Sequence, residues 1–92
     1  MNIFIYNLFY NLFNNYMEKF TIKGENKFKI PAHSFTISPS TESYTLGYSA
    51  DGINFTEWED SVPIGDNLVI TDAPLNLTFK LIGNTSDLIV TY

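Results

Sequence analysis

The chain has 92 residues, of which 45% are hydrophobic and 16% aromatic, which is enough apolar surface for one small core and too much for a disordered chain. It contains no cysteine, so disulfides, thiolate nucleophiles and cysteine metal sites are excluded. A net charge of −5 without any arginine argues against a nucleic-acid partner, whose phosphates are bound mainly by lysine and arginine.

Charges are distributed unevenly along the chain. Four of the five lysines lie at positions 19, 23, 27 and 29, whereas residues 40–92 carry eight acids against Lys80. Most charge clusters are solvated faces, but an asymmetry of this kind would also steer packing between copies of the chain.

The first 17 residues differ in composition from everything that follows. They carry no charged side chain, and their asparagines at 7, 11, 14 and 15 would form one stripe of a helix whose remaining surface is apolar. We predict an N-terminal arm or helix over 1–19 that docks on a neighbouring subunit. Its contact residues would be Phe4, Leu8, Leu12, Phe13 and Tyr16.

Three other interpretations of this segment compete with the docking arm. A secretory signal would need a basic region and a small-residue cleavage site, and neither is present. A membrane span would need about 20 apolar residues without such polar interruptions, so we expect no membrane partner. The segment could also be a non-native extension translated from AT-rich DNA, with Met17 as the start.

The residues after the arm alternate between large apolar and polar side chains, which is the period of a half-buried strand. Residues 20–23 and 27–30, separated by a turn signal at 24–26, predict a lysine-edged hairpin. A third strand is predicted over 35–38, where Pro39 closes it.

The clearest hairpin spans 44–58. Large side chains at 44, 46 and 48 alternate before an Asp-Gly turn at 51–52, and those at 53 and 55 resume the alternation after it. The pattern is completed by a loop over 59–66, a strand over 67–71 and a final hairpin of 75–82 with 87–92. Seven or eight short strands predict an all-β fold over 20–92, a small antiparallel β-sandwich or barrel that is Ig-like in the broad sense.

Few side chains suggest chemistry. His33 is the only histidine and is predicted to be a loop residue. Glu57 and Glu59 share a strand face, as the carboxylates of a glycosidase could, but so small a sandwich offers little cleft. The acids at 57–60 with Asp66 could supply oxygen ligands to calcium, although the spacing is not that of an EF-hand. We therefore predict a protein that is not an enzyme and holds no cofactor or metal.

One binding site is suggested by aromatic residues of the central hairpin. Trp58, Tyr44 and Tyr48 could form a platform for a sugar ring, as in carbohydrate-binding sandwiches. The alternative is that both tyrosines are core residues and that Trp58 caps the sheet, since aromatic side chains mainly bury area. We favour the interpretation that the tyrosines are core residues and that Trp58 caps the sheet.

Three motifs carry a family resemblance: Tyr-Ser-Ala-Asp-Gly-Ile-Asn-Phe-Thr-Glu-Trp at 48–58, Val-Pro-Ile-Gly-Asp-Asn-Leu-Val-Ile at 62–70 and Phe-Lys-Leu-Ile-Gly-Asn-Thr-Ser at 79–86. Through them, residues 35–92 resemble small virion proteins of tailed phages that infect gut Bacteroides, including the crAss-like group. The asparagine-rich start does not match, because the family pattern opens near Met17.

The resemblance implies a structural part of the virion, such as a capsid decoration or head-fibre protein. Such a protein would occur in many copies or as a homo-oligomer, bound to capsid or other virion proteins. No catalytic residue is implied. A carbohydrate-binding module that uses Trp58 and the nearby tyrosines is the alternative function.

Overall fold

Eight β-strands form two antiparallel sheets in the computed structural model, which describes residues 18–92. Residues 1–17 of the predicted arm, with the contact residues Phe4, Leu8, Leu12, Phe13 and Tyr16, lie outside the described residues. Lys19, which was predicted to belong to the arm, is the first residue of a strand. The strands are β1 (Lys19–Lys23), β2 (Phe28–Lys29), β3 (Phe35–Ile37), β4 (Tyr44–Ser49), β5 (Thr56–Val62), β6 (Leu68–Ile70), β7 (Thr78–Ile82) and β8 (Asp87–Thr91).

The two sheets pair the strands in a nested order. Sheet one runs β1-β8-β3-β6 and sheet two runs β2-β7-β4-β5, so that β1 pairs with β8, β2 with β7, β3 with β6 and β4 with β5. This is the strand order of a jelly roll. The predicted all-β antiparallel sandwich is confirmed, the barrel alternative is not what forms, and the Ig likeness extends only to the two-layer architecture.

Alternating side chains from both sheets fill the space between them. In sheet one, Phe35, Ile37 and Val90 are at most 2% exposed, and in sheet two Leu46, Phe79 and Leu81 are equally buried. Aromatic rings link the layers, with centroid distances of 6.0 Å for Phe20 and Phe28 and 5.0 Å for Phe35 and Phe79. Each such buried side chain contributes about 1.5–3 kcal/mol, which makes this core the main source of stability.

The two outer hairpins predicted from sequence do not form. Residues 20–23 and 27–30 fall in different sheets, because the turn that begins at Gly24 (φ +57°) carries the chain from one layer to the other. Likewise 75–82 and 87–92 lie in opposite layers, joined across 83–86. Both hairpins are predicted from neighbours in sequence, whereas the nested order pairs each of these four strands with strands that are distant in sequence.

The crossover loops at this end of the sandwich are tied together by side chains. Asn84, only 2% exposed, donates its amide to the carbonyls of Gly24 (3.0 Å) and Ser86 (2.8 Å). The Glu42 carboxylate accepts from the backbone N–H and hydroxyl of Thr85, and these bonds lower the pKa of Glu42. These bonds hold the chain where it leaves one sheet for the other.

The central hairpin is confirmed as a strand pair but not as a tight turn. β4 pairs with β5, and the connection covers residues 50–55. Ile53, predicted to be half-buried on the second strand, is 76% exposed. The reason is that the Asp51 carboxylate accepts hydrogen bonds from the backbone N–H groups of Ile53 (2.8 Å) and Asn54 (2.9 Å), which keeps both residues in the loop.

Strand β5 extends further than predicted. Residues 59–62 were assigned to a loop, but they belong to β5. Two register shifts against β4 break the alternation, and Ser61 has a positive φ of 54°. Such bulges are common on edge strands and hide a strand from a period-two search.

Candidate functional site

An open hollow of about 390 Å³ lies at the edge of sheet two. Strand β4 contributes Tyr48, β5 contributes Glu57 and Trp58, and the β6–β7 loop contributes Pro74 and Leu77. Of these five, four are apolar or aromatic and one carries a carboxylate.

A β-bulge sets the direction of Trp58. Gly47 is opposite Glu57 and Leu46 is opposite Glu59, so β5 holds one extra residue at Trp58. The indole packs edge-on against Tyr48, with centroids 5.2 Å apart and planes at 80°, and also contacts the core ring of Phe79 at 6.1 Å. Both Tyr48 and Trp58 are therefore half-buried, with one part in the core and the remainder lining the hollow.

The predicted aromatic platform forms only in part. Tyr48 and Trp58 are brought together, but Tyr44 is 3% exposed and lies in the core opposite Val62. Burial raises the pKa of the Tyr44 hydroxyl to about 12. Tyr44 thus contributes to packing and not to the hollow.

Two residues of the hollow were not found from sequence. Pro74 and Leu77 belong to a loop that is distant in sequence from β4 and β5, and only tertiary folding brings it to them. Nothing local marks these residues as part of a site. The Asp-Ala-Pro break at 72–74 correctly predicted that the preceding strand ends there. Residues 75–77 were predicted to be strand but belong to the loop, because β7 begins only at Thr78.

His33 holds that loop in place. Its Nδ1 lies 2.7 Å from the carbonyl of Ala73, and its own carbonyl accepts the Ala73 N–H at 2.8 Å. Because a carbonyl only accepts, Nδ1 carries the proton. The loop also contains two residues other than glycine at positive φ, Asp72 (58°) and Asn76 (70°). Such conformations persist only where the surrounding structure holds them, and the two hydrogen bonds between His33 and Ala73 help to do so. His33 is a loop residue, as predicted, and its ring orients Pro74 and Leu77 only indirectly.

The two glutamates of β5 have different surroundings. Glu57 lines the hollow beside Trp58, whereas Glu59 is exposed elsewhere on the strand. Among residues 18–92, no three histidine, aspartate or glutamate side chains are grouped so that they could hold a metal ion. The same residues include no helix that is long and apolar enough to cross a membrane.

The lining of the hollow suits a partly apolar group. Tyr48, Trp58, Pro74 and Leu77 offer apolar contact, and the Glu57 carboxylate offers hydrogen-bond acceptors. A comparison of the chain with protein-family models, curated proteins and solved structures finds no match.

Proposed function

We propose that the chain is a non-enzymatic structural component of a phage virion, present in many copies and attached to capsid or other virion proteins through its surface. Support comes from the resemblance carried by 48–58, 62–70 and 79–86 and from the architecture. Jelly rolls occur in viral capsid proteins, although a fold alone does not define a function.

The observation that carries the proposal is the outer face of sheet one. The strand register places Thr21 beside Ile89, and Thr36 between Val69 and Thr91. Ile89 is 47% exposed and Val69 is 62% exposed. The centre of this face carries only uncharged side chains, and Lys19, Lys23 and Asp87 border it on β1 and β8. Strand faces with exposed β-branched side chains are suited to contact with another protein.

Mass spectrometry of purified virions tests the proposal directly. The expected result is that peptides of this protein are found in the particle at many copies per virion. A purified infectious particle that lacks the protein would overturn the proposal.

A matched pair of variants tests the binding face. Ile89→Lys places a charge in the middle of the sheet-one face, and Ile53→Lys makes the same change on the exposed loop of the central hairpin. We expect Ile89→Lys to abolish incorporation into particles, and Ile53→Lys to leave it unchanged. Equal incorporation of both folded variants would contradict a role for this face.

Carbohydrate binding at the hollow is a second candidate, and the pairing of Tyr48 with Trp58 beside Glu57 favours it. Glycan-array binding tests it with Glu57→Gln, which removes the charge inside the hollow, and Glu59→Gln as the control outside it. Binding that Glu57→Gln weakens and Glu59→Gln does not would support this function. No binding of any glycan by the folded wild-type chain would exclude it.

A further inference from the structure

Basic and acidic side chains are concentrated on opposite edges of the sandwich. β1 and β2 are edge strands of different sheets, and the contact of Phe20 with Phe28 shows that they lie over each other. Residues 18–30, which contain both strands, carry four lysines and two glutamates, a net charge of +2. We name this side the basic edge.

The opposite side holds the other two edge strands, β5 and β6, which the loop over 63–67 joins. Residues 56–72 carry five acids and no lysine, arginine or histidine, a net charge of −5. We name this side the acidic edge. The acids are Glu57, Glu59, Asp60, Asp66 and Asp72.

The direction of the strands suits a side-by-side arrangement of copies. All neighbours in sheet one are antiparallel, and the sheet has four strands, so its two edge strands β1 and β6 run in opposite directions. A second copy displaced sideways would therefore bring its β1 next to β6 in the antiparallel sense, and the sheet would continue without rotation of the copy.

The β1 edge of sheet one is better suited to pairing than either edge of sheet two. In sheet two, β2 has only two residues and β5 is bulged, and both features discourage pairing. In sheet one, β1 pairs with β8 over five residues without a register shift, and among the described residues it has no partner on its other side.

Charge favours a join between β1 and β6 over a join between two β1 strands. If Val69 of β6 faces Thr21 of the next copy, the lysines at 19 and 23 lie within one residue of Asp72 and Asp66. Two β1 strands would instead bring lysine against lysine, so the edge lysines discourage that pairing.

We propose that copies of this chain associate side by side, with the β6 edge of one copy adding to the β1 edge of the next. The interface is heterologous, so it continues into a ring or a filament instead of stopping at a dimer. This inference rests on the proposed function in that it names the surfaces which join the many copies.

Charge reversal tests the proposal in solution. Sedimentation velocity of the full wild-type chain should show association at low salt, and the apparent dissociation constant should rise about tenfold or more at high salt. Lys19→Glu with Lys23→Glu changes the basic edge from +2 to −2, so that both edges are acidic. Glu59→Lys with Asp60→Lys and Asp66→Lys changes the acidic edge from −5 to +1, so that both edges are basic. Each of these two variants alone should be monomeric, and an equimolar mixture of the two should associate again.

Lys80→Glu, on the central strand β7, is the control for a change of net charge away from both edges and should associate like the wild type. Circular dichroism checks that each variant is folded. A wild-type chain that stays monomeric at low salt, or a mixture that stays monomeric, would overturn the proposal.

The absence of cysteine allows a direct test of the strand pair. Oxidation of a Thr21→Cys, Val69→Cys chain should give a ladder of covalent oligomers, because facing residues of antiparallel strands are close enough for a disulfide. Each single variant should give dimers at most, and a double variant that also stops at dimers would refute the β6 to β1 join. If the protein fails both the charge-reversal and the disulfide test but is found in purified virions, this inference is refuted and the proposed function stands.

Discussion

At the residue scale, one carboxylate organises the loop of the central hairpin. Asp51 accepts hydrogen bonds from the N–H of Asn54 (2.9 Å), the Ser49 hydroxyl (2.7 Å) and the N–H of Ile53 (2.8 Å). These bonds favour the ionised form and hold the pKa of Asp51 well below its ordinary value of 3.8. The charge of Asp51 therefore contributes directly to the shape of the loop.

Asp51→Asn should lower the stability of the protein at neutral pH. Because the folded-state pKa lies below the unfolded value, the ionised carboxylate stabilises the fold at all pH values above 3.8, and this contribution is lost as the pH falls toward the folded pKa. Urea unfolding should show a difference between wild type and variant that narrows in acid. Asp66→Asn, on the β5–β6 loop, is the control, and a difference independent of pH would contradict the role of the charge.

Tyr44 differs from Asp51 because its hydroxyl group is buried and makes no hydrogen bond with the described residues. Tyr44→Phe should raise the free energy of unfolding by about 1 kcal/mol, since a buried hydroxyl without a partner is unfavourable. The raised pKa means that wild-type stability falls between pH 10 and about 12, and the variant should lose less over that range. Thermal unfolding measures both effects, and a destabilised variant would show that the hydroxyl has a partner in solution.

At the scale of elements, sequence predicted which segments are strands better than which strands pair. The alternation at 20–23, 35–38 and 67–71 depends on residues that are close in sequence, and strands formed at each place. Pairing depends on contacts between distant segments, such as Phe20 with Val90, and no local period encodes them. The same limit explains why Tyr48 and Trp58 were proposed together while Pro74 and Leu77 were not.

Strand β5 shows how a backbone irregularity defeats a period-two prediction. Ser61 lies at a positive φ of 54° within the strand, a conformation that costs a residue other than glycine about 1 kcal/mol or more. The irregularity moves side chains out of alternation, which is why 59–62 was predicted to be a loop. The same strand holds the bulge that directs Trp58 into the hollow.

Substitutions at Ser61 test whether this conformation is required. Ser61→Gly should be neutral or stabilise by up to about 1 kcal/mol, whereas Ser61→Val should destabilise by about 1–3 kcal/mol because a branched side chain strongly disfavours positive φ. Thr56→Val, on the same strand and not at positive φ, is the control and should change little. Equal stability of the Gly and Val variants in urea unfolding would show that the strand relaxes to a regular conformation.

At the scale of the whole molecule, one row of aromatic rings connects the two charged edges through the core. It begins with Phe20 and Phe28 at the basic edge, continues through Phe79, and ends with Trp58 and Tyr48 at the hollow beside the acidic edge. Phe79 is the centre of this row, with contacts to Phe28 at 5.8 Å and Trp58 at 6.1 Å. The hollow and the interior are thus parts of one packed structure.

Truncation of Phe79 should therefore affect both the core and the hollow. Phe79 is 2% exposed, so Phe79→Ala should cost about 3–5 kcal/mol, most of the stability expected for a small domain, and Phe79→Leu about 1–2 kcal/mol. Urea unfolding followed by the fluorescence of Trp58, the only tryptophan, reports both effects, and the Leu variant should already shift the emission of the folded state. Ile53→Ala, at a side chain 76% exposed, should change stability by less than about 0.5 kcal/mol. A Phe79→Leu variant with unchanged emission would show that Trp58 is positioned independently of the core.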